Sequence, residues 1–222
     1  MANSSPGPLT EEEIRKATIG EPGRLDGPVH LVDYDPLWPE QFGREAQRIA
    51  SALGRHALRI EHIGSTSVPG LVAKPIIDIL LVVADSSNEP AYVPALEAAG
   101  YVLRIREPDW HQHRLFKGPD TNVNIHVFSI GSEEIERNLA FRDRLRANAA
   151  DRELYARTKR ELAAKSWEFV QNYADAKSEV VESILARARP LPPAAGESRA
   201  HDRAPSKAKP SREKRSAADG GL

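Results

Sequence analysis

The chain has 222 residues, 31 Lys and Arg against 32 Asp and Glu, a formal charge of −1 and 40% apolar residues, which suits one globular domain with appendages and argues against a fibrous protein or one held on nucleic acid by a general basic field. It has no cysteine, so disulfides, thiolate zinc sites and cysteine nucleophiles are excluded, and any metal must be held by histidine or carboxylate. No apolar run approaches the roughly 20 residues that span a bilayer, and the start, MANSSPGPLTEEE, lacks the basic and apolar regions of a secretory signal, so the expectation is a cytoplasmic protein with no membrane partner.

In chain order, residues 1–8 are expected to be disordered. Thr10 before three glutamates reads as the N-cap and acidic first turn of a short helix ending near Gly20. Residues 28–34, PVHLVDY, alternate like a strand. Pro36-Leu37-Trp38-Pro39 starts a helix running to about Gly54, with Phe42, Ala46, Ile49 and Leu53 on one stripe. A strand over 57–63, a Gly-Ser turn and a strand over 75–83 follow, then a helix over 90–99 closed by Gly100. Strands are expected over 101–106, 113–117 and 122–129, the last two joined by a Gly-Pro-Asp hairpin signal. After Gly131 the pattern turns helical: Ser132 with Glu133 and Glu134 caps a helix carrying Ile135, Leu139 and Leu145, and Asp151 starts another carrying Leu154, Leu162, Trp167 and Val170. A last helix runs to about Ala188. The expected domain, 9–188, has a sheet-containing half (9–130) and a helical half (131–188). Its class is α/β, of the α+β kind: a mixed β-sheet flanked by helices, with a C-terminal helical bundle. Residues 189–222 are rich in Pro, Ala, Ser and charge and are read as a disordered, solvated tail. The sharper alternative is an arm for an anionic partner using Lys207, Lys209, Arg212, Lys214 and Arg215.

Residues 61–83, EHIGSTSVPGLVAKPIIDILLVV, concentrate the chemistry. Asp78 lies in an otherwise apolar strand with Ile76, Ile77, Ile79, Leu80, Leu81 and Val82, so its carboxyl needs a partner, a metal or a shifted pKa. The turn Gly64-Ser65-Thr66-Ser67 offers backbone N–H groups and three hydroxyls to phosphate oxygens, although such residues also serve purely structural turns. Lys74 and Arg114 are candidate phosphate contacts. His62, His111, His113 and His126 are candidates to converge near Asp78. Residues 111 and 113 share a face if WHQHRLF is extended, and the group would form a metal or general-base site, or a metal-free polar cleft. Arg137, Arg142, Arg144 and Arg146 read as a solvated helix face, and Trp110, Trp167 and Tyr173 as core or interface aromatics.

The segments VDYDPLWPEQF, IEHIGSTSVPGLVAKPIIDILLVV, AAGY, HRLF, NIHVF and RNLAFRDRLRAN resemble, in order and spacing, the GrpB family. The resemblance covers about 9–188. It implies a nucleotidyltransferase-like fold and a relation to the domain fused behind dephospho-CoA kinase in some bacteria. On that implication Gly64, Ser65, Thr66 and Ser67, with Lys74 and Arg114, hold the phosphates of a nucleotide or other phosphorylated small molecule. Asp78 and His126 are catalytic and hold a metal, with His111 and His113 as further ligands. Two-Mg²⁺ transfer draws carboxylates from positions i and i+2 of a strand, and i+2 from Asp78 is Leu80. The expected cofactor is therefore a divalent ion, Mg²⁺ or a softer one held by Asp and His. The expected activity is nucleotidyl or phosphoryl transfer. The alternative is a catalytically degenerate nucleotide-binding or regulatory module linked to coenzyme A metabolism. Near-neutral charge places nucleic-acid binding last.

Overall fold

Seven consecutive residues, Ile77–Val83, apolar except for Asp78 and free of Gly and Pro, make the strand β2, and burial on both faces is what so apolar a run requires. In the computed structural model, which describes residues 9–25 and 27–188, β2 lies inside a five-stranded sheet with β1 (Arg59–Ile63), β3 (Val102–Glu107), β4 (His113–Lys117) and β5 (Val123–Ser129). The order is β1-β2-β5-β4-β3. β2 and β5 are parallel, and the other neighbours are antiparallel. The chain is thus α/β with a mixed sheet. The described residues all fall in one unit spanning 1–189. The segments expected to be disordered, 1–8 and 189–222, lie outside the described residues.

Alternation divides the sheet into two unlike faces. One carries Ile77, Ile79, Leu81 and Val83 with Val123, Ile125 and Val127, and packs against Trp38, Ile49 and Leu53 of α2 (Trp38–Leu53) and Leu96 of α3 (Val93–Ala98). The other carries Leu80, Val82 and Phe128, covered by Ile135 and Leu139 of α4 (Glu133–Ala147). That cover stops short of Asp78, one step along the same face. The turn after β1 continues into Val68, Leu71 and Val72. These pack against Leu145, Tyr155 of α5 (Ala149–Ala163) and Ile184 of α7 (Ser178–Ala188). α6 (Val170–Asp175) adds Tyr173 to a small cluster with Val29, Leu162 and Ala163.

Several local expectations shift. The helix capped by Thr10, α1 (Glu11–Ala17), forms with its capping box and ends at Ala17. The strand expected over 28–34 is reduced to one bridge between Val32 and Ala73, because Lys74-Pro75 follows and proline has no N–H to extend the ladder. Ser132 occupies the N-cap of α4 but its hydroxyl is buried without a partner among the described residues. α5 is capped by Asn148, whose side chain accepts from the Asp151 N–H at 2.9 Å, and it ends at Ala163, so Trp167 lies beyond α5 and Val170 begins α6. The expected last helix is two helices, α6 and α7.

Candidate functional site

Strand register builds the site. Asp78 of β2 pairs with Asn124 of β5, and Asn124 pairs with Lys117 of β4, giving a polar row across three strands at the uncovered end of the α4 face. Lys117 Nζ donates to Asn124 Oδ1, and Asn124 Nδ2 donates to Asp78 Oδ1 at 2.8 Å. Two residues on, His126 places Nε2 3.7 Å from Asp78 Oδ1. Burial acts to raise the Asp78 carboxyl, but His126, Asn124 and Lys117 outweigh it and leave the group below its ordinary value. About a quarter of the side chain, 26%, is exposed. Below it lies Gly64, where an added Cβ would stand 2.3 Å from Asp78 Oδ2. The glycine makes room for the carboxylate itself.

Four lysines lie within electrostatic reach of this carboxylate. Lys74, Lys117, Lys159 of α5 and Lys177 are each stabilised by the charge of Asp78 and destabilised by burial. They also repel one another, Lys74 acting on Lys117 and Lys177, and Lys177 on Lys159. Burial brings Lys159 down to about 7 and Lys177 to about 8. Asp175 helps at Lys177. Lys159, 2% exposed, donates to Ser65 Oγ at 2.9 Å and to the Val72 carbonyl, with its ammonium 5.0 Å from the centre of the Tyr155 ring. Lys177 sits 4.1 Å from the centre of the Tyr173 ring. Of the turn hydroxyls, that of Thr66 donates to the Ile76 carbonyl and that of Ser67 to the Gly64 carbonyl, at 3.0 and 2.6 Å. Ser65 is the turn residue whose side chain meets the lysines.

The histidines separate. His113 and His126 come together, with Nε2 of His113 3.1 Å from Nδ1 of His126, and His113 Nδ1 lies 2.6 Å from Glu107 Oε2. Burial lowers His113 to about 4 despite Glu107. His111 does not join them, which corrects the extended reading of WHQHRLF. Residues 111 and 112 have positive φ, 50° and 52°, so the segment turns and leaves His111 exposed against the edge of Trp110. His62 pairs with Ile79 and therefore points to the opposite face, stacked on Phe42 at 4.8 Å. Arg114 is corrected for the same reason. It follows His113 on β4, faces away from Asp78, and is buried against Glu89 at 2.6 Å.

The arginines of α4 are held by partners, two of them glutamates, and Arg146 stays exposed. Arg142 donates to Glu61 at 2.7 Å, Arg146 to the Ser67 carbonyl at 2.8 Å, Arg144 to Asp151 and Arg137 to Glu182. Arg142, Arg146 and Arg152 line a cleft of about 750 Å³ with Tyr34, Phe42 and His62. Asp78 is not among its lining residues.

Sequence reasoning passed over Lys117, Asn124, Glu107, Lys159 and Lys177. Alternation along 122–129 alone puts Asn124 on the face of His126; the lysines of the helical half carry no local signal. Among the described residues no group of three or more His, Asp or Glu is placed to hold a metal ion. Leu80 is fully buried in the Ile63, Val82 and Phe128 cluster. Asp78 has Asn124, joined to Lys117, beside it and no second carboxylate at Leu80, so the donors do not fit a two-cation clamp.

A family model described as GrpB protein matches residues 28–187. The chain is 60% identical over 186 residues to a UPF0157 protein of Halalkalibacterium halodurans, covering 84% of this chain and 95% of that one. The crystal structure of the conserved protein GrpB from Enterococcus faecalis is similar with a TM-score of 0.64 and 33% identity, over 72% of this chain and 96% of that chain. A dephospho-CoA kinase of Mycolicibacterium paratuberculosis is 32% identical over 159 residues, 60% of this chain but 39% of the enzyme, so that likeness is to part of it. Among the described residues no helix is long and apolar enough to cross a membrane.

Proposed function

The chain belongs to the GrpB family, and we propose that this member binds a phosphorylated small molecule, a nucleotide or a related phosphoester, with a phosphate seated among Lys74, Lys117, Lys159 and Lys177 at the Gly64-Ser65 turn. Lys117 joined to Asp78 through Asn124, and Lys159 seated on Ser65 Oγ of the turn, carry the reading, and Lys74 and Lys177 lie within the field of the same carboxylate. Burying ammonium groups side by side costs free energy that a phosphate dianion offsets, and Asp78 offsets one charge of the four. The Tyr173 hydroxyl, buried without a partner among the described residues, adds a donor near Lys177. The partial likeness to a dephospho-CoA kinase and the nucleotidyltransferase-like fold that the family resemblance implies are consistent with such a ligand. Recognition by lysines needs no bound cation.

Calorimetry with ATP, ADP and inorganic phosphate, each in Mg²⁺ and in EDTA, tests this. Binding should survive EDTA. The double substitution Lys74→Met with Lys117→Met should weaken ATP by about tenfold or more, roughly 1.4 kcal/mol. Unchanged affinity in the double variant would sink the assignment, and binding only with Mg²⁺ would return the site to metal-dependent chemistry.

A further inference from the structure

Three side chains beside the lysine pocket form a line of hydrogen bonds whose chemistry fixes where their protons are. Glu107, on β3, lies opposite His113 on β4, and His113 reaches His126 on β5, so the line crosses the sheet toward Asp78. A carboxylate accepts only, so the proton between Glu107 and His113 belongs to His113 Nδ1. His113 is 4% exposed, enclosed by Trp110, Phe128 and His126 at ring separations of 5.2, 4.9 and 5.2 Å. Apolar burial keeps it neutral, and its Nε2 therefore carries a lone pair. The 3.1 Å contact then requires His126 to donate through Nδ1–H. With Nδ1 donating to His113, His126 turns its Nε2 toward Asp78. Nε2 and Asp78 Oδ1, 3.7 Å apart, stand too far apart for a close direct hydrogen bond and close enough for one hydroxyl or water oxygen to touch both.

We propose that Glu107 and His113 are positioning residues that hold His126 as the Nδ1–H tautomer, and that His126 Nε2 is the proton acceptor for a water or hydroxyl attacking a phosphoryl group held by the pocket lysines. The substrate class is a phosphomonoester or phosphoanhydride, and the assignment rests on the phosphate-pocket reading above. In the step, the O–H proton passes to Nε2 and the oxygen's electron pair forms a new P–O bond. The P–O bond to the leaving group breaks with its electron pair on the leaving oxygen, which later takes the proton back from His126. Asp78 stabilises the imidazolium in between, and His113 keeps its ring aligned, the division of labour of a carboxylate and histidine beside a nucleophile. No oxidant, reductant or metal ion enters the balance.

The test uses the full chain labelled with ¹⁵N-histidine, assigned by comparison with His126→Gln and His113→Gln, at pH 8. His126 should carry a proton on Nδ1 and none on Nε2, and His113 should be neutral with its proton on Nδ1. Glu107→Ala should leave His126 averaging between tautomers while ATP affinity stays within about twofold. Phosphate release from ATP or p-nitrophenyl phosphate should fall by about 100-fold or more in His126→Gln and should fall in Glu107→Ala without a change in affinity. A proton on His126 Nε2, or an imidazolium at His113, overturns the relay even where ligands bind. Failure of ATP and inorganic phosphate to bind overturns the pocket instead and removes the acceptor's substrate. Absence of phosphate release from both probes by the parent chain overturns the acceptor role.

Discussion

At Gly64 the backbone has φ +69° and ψ −174°, a region essentially reserved for glycine, and a methyl group there would also stand 2.9 Å from Asp78 Cβ. Gly70 has φ +75° with nothing within 4 Å of an added Cβ. The pair separates backbone strain from collision. Gly70→Ala should cost about 1 kcal/mol, and Gly64→Ala about 3 kcal/mol or more because the Asp78 carboxylate must also move. Urea denaturation midpoints measure both, and equal losses would show that the contact with Asp78 is not tight. The lone acid in an apolar run drew attention to Asp78 in the sequence, and its neighbours came from elsewhere. Strand alternation moved Arg114 and His62 to the other face, and two positive-φ residues moved His111 out.

At the scale of elements, the helical half bears on the site through packing. Ile184 of α7 is fully buried with Leu145 of α4, Tyr155 of α5 and the Val68 to Val72 segment, and so helps hold α5, with Lys159, over the Gly-Ser turn. Ile184→Ala should destabilise the domain by about 2–5 kcal/mol through the cavity it opens. A loss below about 1 kcal/mol in thermal or urea unfolding would mean that α7 is not part of the cooperative core. The helices were legible because apolar residues recur at helical spacing. Their ends were less so: Asn148 rather than Asp151 caps α5, and the chain leaves the helix after Ala163, where propensity alone gives no strong stop.

Over the whole molecule, acidic and basic residues nearly cancel, yet the fold gathers four lysines from β4, α5, the entry to β2 and the link between α6 and α7 into one place. Their folded pKa values lie below the ordinary lysine value of 10.5, with Lys159 at about 7 and Lys177 at about 8. Between pH 7 and 10 the unfolded chain therefore binds more protons than the folded one, so stability should rise with pH in that window. Below pH 6.5, His62 and His113, both held near 4 by burial, make stability fall as the pH drops. Phosphate should raise the melting temperature more near pH 7, where Lys177 is largely charged and Lys159 about half charged, than near pH 10, where both are neutral. A flat profile from pH 7 to 10, or a phosphate effect independent of pH, would contradict the cationic pocket.

The sequence by itself determined the alternation of strands and helices, the apolar central strand, the Gly-Ser turn and the single acid placed after it, since these follow from periodicity and local backbone preference. It also showed that Leu80 stands where a second carboxylate would be needed. Tertiary structure decided which polar groups keep Asp78 company. Asn124 and Lys117 reach it through parallel and antiparallel register, Lys159 and Lys177 through the folding of distant helices onto the turn, and Glu107 and His113 through a pairing across β3 and β4. Those interactions join residues up to 99 positions apart, where no local pattern constrains the pairing, and they give the lone acid polar and basic neighbours that no stretch of sequence announces.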